Sequence, residues 1–295
     1  MRLRTSILAV LGILPLQAQQ GNPEILVSTE WLAGHMRDGS LVILHVGSQK
    51  DYESGHIPGA RLVTLADISV TDARGLRLEL PSLQALEGAL QRLGVTDASR
   101  IVVYPGTESV QSATRVWFTL DYLGLGGRAS LLDGGLAQWQ AEKRPLSTEA
   151  PQVAPANFTP QPRADAVVDA EWVSGHLKDA SVRVVDARLP EFYSGAKAGA
   201  MPRAGHVPDA ANAPYTSFLG ENGRFKSKEE LAALLKAAGA GGGKTLVSYC
   251  HIGQQATVIY FAARYLGFEP RLYDGSFQDW SARTDLPVET AVPAR

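Results

Sequence analysis

Short apolar runs rich in branched side chains recur along the chain, separated by stretches with helical spacing. Leu41–Val46, Ile101–Tyr104 and Ala129–Leu132 in the first half read as strands. In the second half Val182–Ala187, Thr245–Tyr249 and Arg271–Tyr273 take the same places. Between them, Ser82–Leu93, Lys228–Ala238 and Ala256–Ala263 carry helix-like patterns. Strand and helix alternate, which predicts an α/β protein built on parallel sheets with helices on both faces. In such sheets ligands bind beyond the carboxyl ends of the strands.

The pattern is also a repeat. Trp31-Leu32-Ala33-Gly34-His35 returns 141 positions later as Trp172-Val173-Ser174-Gly175-His176. Gly55-His56-Ile57-Pro58-Gly59-Ala60 returns as Gly205-His206-Val207-Pro208-Asp209-Ala210, after an insertion near Gly195 to Ala204. Asp133-Gly134-Gly135 with Trp139 matches Asp274-Gly275-Ser276 with Trp280. Ordered matches over the whole half-length mean a duplicated domain, with copies at 22–149 and 166–292. A proline-bearing stretch, 150–165, reads as an extended connector.

The copies differ where chemistry would occur. Cys250, the only cysteine, follows the strand Thr245–Tyr249 and precedes the loop His251-Ile252-Gly253-Gln254-Gln255, which feeds a helix N-terminus. Loop amides and the helix dipole favour an anion there, so a thiolate is expected to be stabilised. The competing reading is a buried, inert core cysteine. In the first copy Pro105 stands at this place, before Gly106-Thr107-Glu108-Ser109-Val110-Gln111. Proline offers neither a nucleophile nor an N–H, so that half cannot run the same reaction.

Composition narrows the partners. Lys and Arg number 28 against 30 Asp and Glu, a net charge of −2 with no basic stripe, which argues against nucleic acid and anionic membrane surfaces. Residues 1–18 read as a signal peptide: Arg2 and Arg4, the apolar run Ile7 to Leu16, and a cleavage point after Leu16-Gln17-Ala18. That run is too short to span a bilayer, and the Cys a lipoprotein requires is missing. Export, to a periplasm or beyond, is the expectation, with no membrane anchor after cleavage. A lone exported cysteine cannot pair within its own chain.

Val185-Asp186-Ala187-Arg188, Gly205-His206-Val207-Pro208-Asp209-Ala210, Tyr249-Cys250-His251-Ile252-Gly253 and Asp274-Gly275-Ser276-Phe277 together resemble the tandem-domain rhodanese family, the thiosulfate and 3-mercaptopyruvate sulfurtransferases. The resemblance covers essentially the whole mature chain. It implies an inactive N-terminal domain and a C-terminal domain whose Cys250 carries a persulfide in a ping-pong reaction, with no cofactor and no metal. Partners would be a small-molecule sulfur donor and acceptor, or a protein acceptor. Substrate-binding positions implied are Arg188, as the clamp on the donor's anionic group, and the loop residues His251, Ile252, Gly253, Gln254 and Gln255, whose amides would cradle the thiolate. An ion pair between Arg188 and Glu191 is the structural alternative.

His251-Ile252 departs from the family's usual pairs, so a fixed cation is missing unless His251 is protonated. Thiosulfate is the expected donor, with 3-mercaptopyruvate and a non-turnover sulfur carrier as alternatives. A cysteine phosphatase would need Cys-x5-Arg, but the sixth residue on is Ala256. The run Gly239–Thr245 looks like a phosphate-binding loop but would join a helix to a strand, the wrong order. The histidines repeat in both copies and read as architecture.

Overall fold

The computed structural model of the protein describes residues 25–107 and 109–291. Strands β1 (Leu26–Val27), β2 (Leu41–Val46), β3 (Arg61–Val63), β4 (Arg100–Pro105) and β5 (Ala129–Leu132) form one sheet in the order β1-β5-β4-β2-β3. Strands β6 (Val167–Val168), β7 (Val182–Asp186), β8 (Ala211–Asn212), β9 (Thr245–Tyr249) and β10 (Arg271–Tyr273) form the other in the order β6-β10-β9-β7-β8. Every pairing within the two sheets is parallel. The second sheet repeats the first, strand for strand. The edge strands β1, β3, β6 and β8 span only two or three residues, too short for apolar alternation to announce them.

Four helices frame the thiol loop and the seam between the halves: α1 (Leu83–Arg92), α2 (Val110–Tyr122), α3 (Lys228–Ala237) and α4 (Ala256–Tyr265). Ser82 caps α1 by accepting from Ala85 N, and Ser227 with Glu230 forms a capping box on α3. Helices α2 and α4 are buried over most of their length because they face each other between the two sheets. Trp117 meets Phe261 edge-on at 4.8 Å, and Phe118 meets Tyr260 at 4.9 Å. Each fully buried aromatic contributes about 1.5–3 kcal/mol, so four on one seam bind the halves firmly. A single apolar cluster therefore runs through both halves, and each sheet packs a smaller cluster of its own elsewhere.

The connector is extended over residues 151–163 and docked rather than loose. Phe158 enters the shared core, and Arg163 binds Asp121 on α2 through a 2.6 Å ion pair. Gly239, Gly241, Gly242 and Gly243 have positive φ and form the turn between α3 and β9, as their sequence context requires.

The repeated histidines are structural in both copies. His56 and His206 stack on Tyr52 and Tyr193 at 3.8 Å, each bonded through Nδ1 to that tyrosine's carbonyl. Trp139 and Trp280 are buried and donate Nε1–H to Pro145 O and Pro287 O. The signal-peptide expectation falls on residues outside those described. Among the described residues no helix is long and apolar enough to cross a membrane.

Candidate active site

Strand β9 delivers Tyr249 and Cys250 to the carboxyl edge of the second sheet. The Tyr249 hydroxyl accepts from Val207 N at 3.0 Å, and its carbonyl accepts from Ala187 N at 2.8 Å, so β7 and the GHVP turn fix the strand end. The segment after β10 fixes Cys250. Cys250 N donates to Ser276 Oγ at 3.2 Å, and Cys250 O accepts from Phe277 N at 3.0 Å. Ser276 adopts φ +52° and donates its hydroxyl to Tyr273 O, a strained non-glycine position stabilised by these bonds. The Asp-Gly-Ser-Phe motif thus clamps the thiol-bearing peptide.

The loop from His251 to Gln255 turns through Gly253, whose φ is +77°. Added there, a Cβ would lie 2.7 Å from Asp274 O, so only glycine fits. None of the N–H groups of His251, Ile252, Gly253, Gln254 or Gln255 donates to a backbone carbonyl of a described residue. Five consecutive free donors beginning beside a thiol are what an anion nest requires. Helix α4 begins at once after them, so its dipole adds to the same field.

Arg188 supplies a charge at this edge, but not as an open fork. It is 1% exposed and holds Asp186 through Nε at 3.0 Å and through its terminal nitrogen at 2.6 Å. The same terminal nitrogen donates to Gly205 O, and the guanidinium lies 4.0 Å over the Phe277 ring. Burial opposes its charge; Asp186 outweighs that, and a negative Cys250 would add to the effect. Arg188 is expected from the sequence to clamp the donor's anionic group; here its Nε and one terminal nitrogen are taken by Asp186 and Gly205. The alternative pairing with Glu191 is also not formed, since Glu191 faces Lys197. Asp186 is what makes a buried arginine tolerable here.

His251 is half-buried and packs edge-on against Phe192 at 4.7 Å. Burial, then the charge of Arg188, push its imidazole below the ordinary histidine range. Its use as a substitute cation is disfavoured for that reason. Gln255 Oε1 is its contact at 3.4 Å, and Gln254 reaches across to Ser112 Oγ on α2 at 3.0 Å.

Cys250 itself is fully buried, which departs from the partial exposure usual for a reactive thiol. Burial alone would match an inert cysteine; the free amides and the buried guanidinium beside it do not. A cavity of about 450 Å³ lies elsewhere, between the halves at the carboxyl edge of the first sheet, lined by Pro105, Val110, Leu132, Tyr215, Leu219 and Phe225 among others. Among the described lining residues Asp133 is the only charged side chain, and it is bonded to Arg224 and to Phe225 N. Cys250, rather than this cavity, is therefore the candidate site for chemistry.

Three contributors escaped the sequence. Arg115 and Ser112 lie on α2, in the copy without a thiol, yet touch the Cys250 loop. Arg115 carried a faint signal as a charge followed at once by the apolar run Val116-Trp117-Phe118. Phe192 had none.

A Rhodanese-like domain model matches residues 28–142 and again residues 169–283. The chain is 33% identical to a probable 3-mercaptopyruvate sulfurtransferase of Pseudomonas aeruginosa, covering 90% of this chain and 98% of that one. It is 31% identical to the sulfur carrier protein TtuD of Thermus thermophilus, over 90% and 97% of the two chains. Against a thiosulfate sulfurtransferase of Azotobacter vinelandii the identity is 31%, over 84% and 91%. The crystal structure of SseA from Escherichia coli, described as a rhodanese fold, superposes with a TM-score of 0.75 at 29% identity, covering 86% of this chain and 98% of that one. With both halves matched, the chain belongs to the rhodanese family of sulfurtransferases, as two Rhodanese-like domains in tandem.

Proposed function

We propose that this sulfurtransferase takes the sulfane sulfur of thiosulfate onto Cys250 and passes it to a thiophile in a ping-pong cycle. The Cys250 thiolate attacks the outer sulfur, the sulfur–sulfur bond of thiosulfate breaks, and sulfite leaves with its electron pair. The resulting persulfide is attacked at its outer sulfur by cyanide or a thiol, which regenerates the thiolate. The observation that carries this reading is the run of five unengaged amides starting next to the lone thiol. Negative charge on one sulfur, and then on the outer of two, is what such a ring stabilises. Arg188, neutralised by Asp186, orders the strand ends and biases the field beside the thiol. Because Cys250 is buried, turnover requires its cover to part, and the Phe192–His251 contact is the aromatic pair nearest to the loop's start.

A second donor is favoured by one observation. With His251 held towards neutrality, the site has little charge to spare for a dianion. 3-Mercaptopyruvate, a monoanion, asks less of it. Steady-state kinetics with each donor, cyanide as acceptor, decide between them. A kcat/KM for thiosulfate above that for 3-mercaptopyruvate supports the first reading, and the reverse ratio replaces it with the second. A single stoichiometric burst with either donor would make the protein a carrier instead. Export is also part of the proposal, resting on Arg2, Arg4 and the run Ile7 to Leu16.

A further inference from the structure

Arg115 belongs to the domain without a thiol, yet its guanidinium is fully buried against the loop of the domain that has one. One terminal nitrogen donates to Gly253 O at 3.2 Å and pairs with Asp274 Oδ1; the other donates to Leu78 O at 2.6 Å. Three segments meet on this one group: the Cys250 loop and the Asp274 turn that clamps Cys250, both from the opposite half, and the Leu78 segment of its own half. Neighbouring α2 residues reinforce the contact. Ser112 receives Gln254 Nε2–H at 3.0 Å, and Thr114 shares a 2.8 Å bond with Thr257 at the start of α4.

The geometry of a planar trans peptide gives this contact a consequence. Carbonyl and N–H point to opposite sides of the peptide, and the described chain contains no cis bond. Holding Gly253 O towards Arg115 therefore turns the N–H of Gln254 away from the N-terminal domain and back into the loop that starts at Cys250. That N–H has no other backbone acceptor among the described residues. Gly253 has a positive φ, and a glycine is free to flip its flanking peptide unless something pins it. The pin is Arg115.

Resting on the sulfurtransferase reading above, we infer that Arg115 is a positioning residue for sulfur transfer, supplied by the inactive copy to hold the amide ring of the active one. It touches neither donor nor thiol. Its loss would loosen the ring without removing a donor contact, so the rate of persulfide formation at saturating donor falls while half-saturation stays.

The test uses the full chain with Arg115→Lys, which keeps a cation for Asp274 but cannot span Gly253 and Leu78 together. A second variant, Arg115→Met with Asp274→Asn, removes the pair without leaving a buried charge. Arg224→Ala, which breaks the exposed interdomain pair with Asp133, is the control. Single-turnover formation of the adduct, about 32 Da for one sulfur, is followed by intact mass alongside thermal melting. For either Arg115 variant that melts cooperatively, the expected rate loss at saturation is on the order of tenfold or more, with half-saturation changed less than about twofold. The Arg224 control should keep the native rate. Folded Arg115 variants with native rates, or an equal loss in Arg224→Ala, would overturn the positioning role alone. If the wild-type chain forms no adduct with either donor, the sulfurtransferase reading falls and this role falls with it.

Discussion

At the carboxyl ends of β2 and β4 the N-terminal half carries His45, Gly47 and Pro105; at the matching ends of β7 and β9 the C-terminal half carries Asp186, Arg188 and Cys250. The sheet and the turn that frame these positions are shared. A buried tyrosine, Tyr104 or Tyr249, accepts an amide N–H from the GH(I/V)P turn at 3.0 Å in each half. In the C-terminal half, that tyrosine sits beside a buried ion pair. In the N-terminal half it holds His45 Nδ1 at 3.0 Å, and His45 Nε2 has no partner among the described residues. A side chain at Gly47 or Gly106 would collide with that imidazole, so His45 fills the space that Arg188 and the start of the thiol loop occupy in the other copy. Burial, with His56 nearby, holds His45 neutral by pushing its pKa down to about 4. Where the thiol is missing, the cation beside it is missing too. Charge at this edge goes with the chemistry and is not a requirement of the fold.

The domain seam shows the same contrast. Asp133 accepts Arg224 and Phe225 N from the opposite half. Asp274, its counterpart, accepts Leu80 N and pairs with Arg115 beneath the thiol loop. Each half lends the other a latch, but only one latch reaches the thiol loop.

Restoring a thiol without its surroundings tests the comparison most severely. Pro105→Cys in a Cys250→Ser background is expected to leave turnover at least about a thousandfold below wild type, because Gly47 and His45 provide no charge and Gly106 no ordered ring. A thiosulfate:cyanide assay checks it; substantial recovery would show that the thiol alone suffices.

The ion pair comes next. Asp186→Asn leaves Arg188 buried beside a neutral partner, and the expected loss of stability is about 3–5 kcal/mol. His45→Gln, at the equivalent place, uncovers no charge and should cost only about 1–2 kcal/mol. Urea midpoints of the two variants measure the gap, and equal costs would erase the distinction drawn between the copies.

The smallest effect is a pH dependence at the seam. Burial, with Asp274 as the next cause, pushes Glu79 up from 4.5 to about 8, while Arg115 and Arg74 oppose the shift and Asp72 adds to it. A carboxyl raised in the folded state stabilises fully below its unfolded value, and that contribution fades as pH rises through about 8. Melting temperature should therefore fall between pH 5 and 8.5 (roughly the window between the two values) more steeply for wild type than for Glu79→Gln. Parallel curves would remove Glu79 as the cause.

Much of this was legible in the chain. The six central strands, both copies of the fold and the asymmetry of Pro105 against Cys250 followed from β-rich runs and ordered repeats, because strands buried on both faces leave dense local signals. The edge strands did not, being two or three residues long and defined by pairing alone. Arg188 was visible, but whether its fork was open or closed depended on Asp186 bending back two residues, which spacing cannot tell. Burial of Cys250 and the reach of Arg115 across the seam are products of packing between sequence-distant helices, and no local pattern records them.

Intact mass of the purified chain, before and after brief exposure to thiosulfate or 3-mercaptopyruvate, asks most directly whether a buried thiol followed by five unengaged amides accepts sulfur. The expected result is a gain of about 32 Da that maps to Cys250, is absent in Cys250→Ser and disappears on addition of cyanide. A wild-type chain that stays at its original mass with both donors, while still melting as a folded protein, would contradict it.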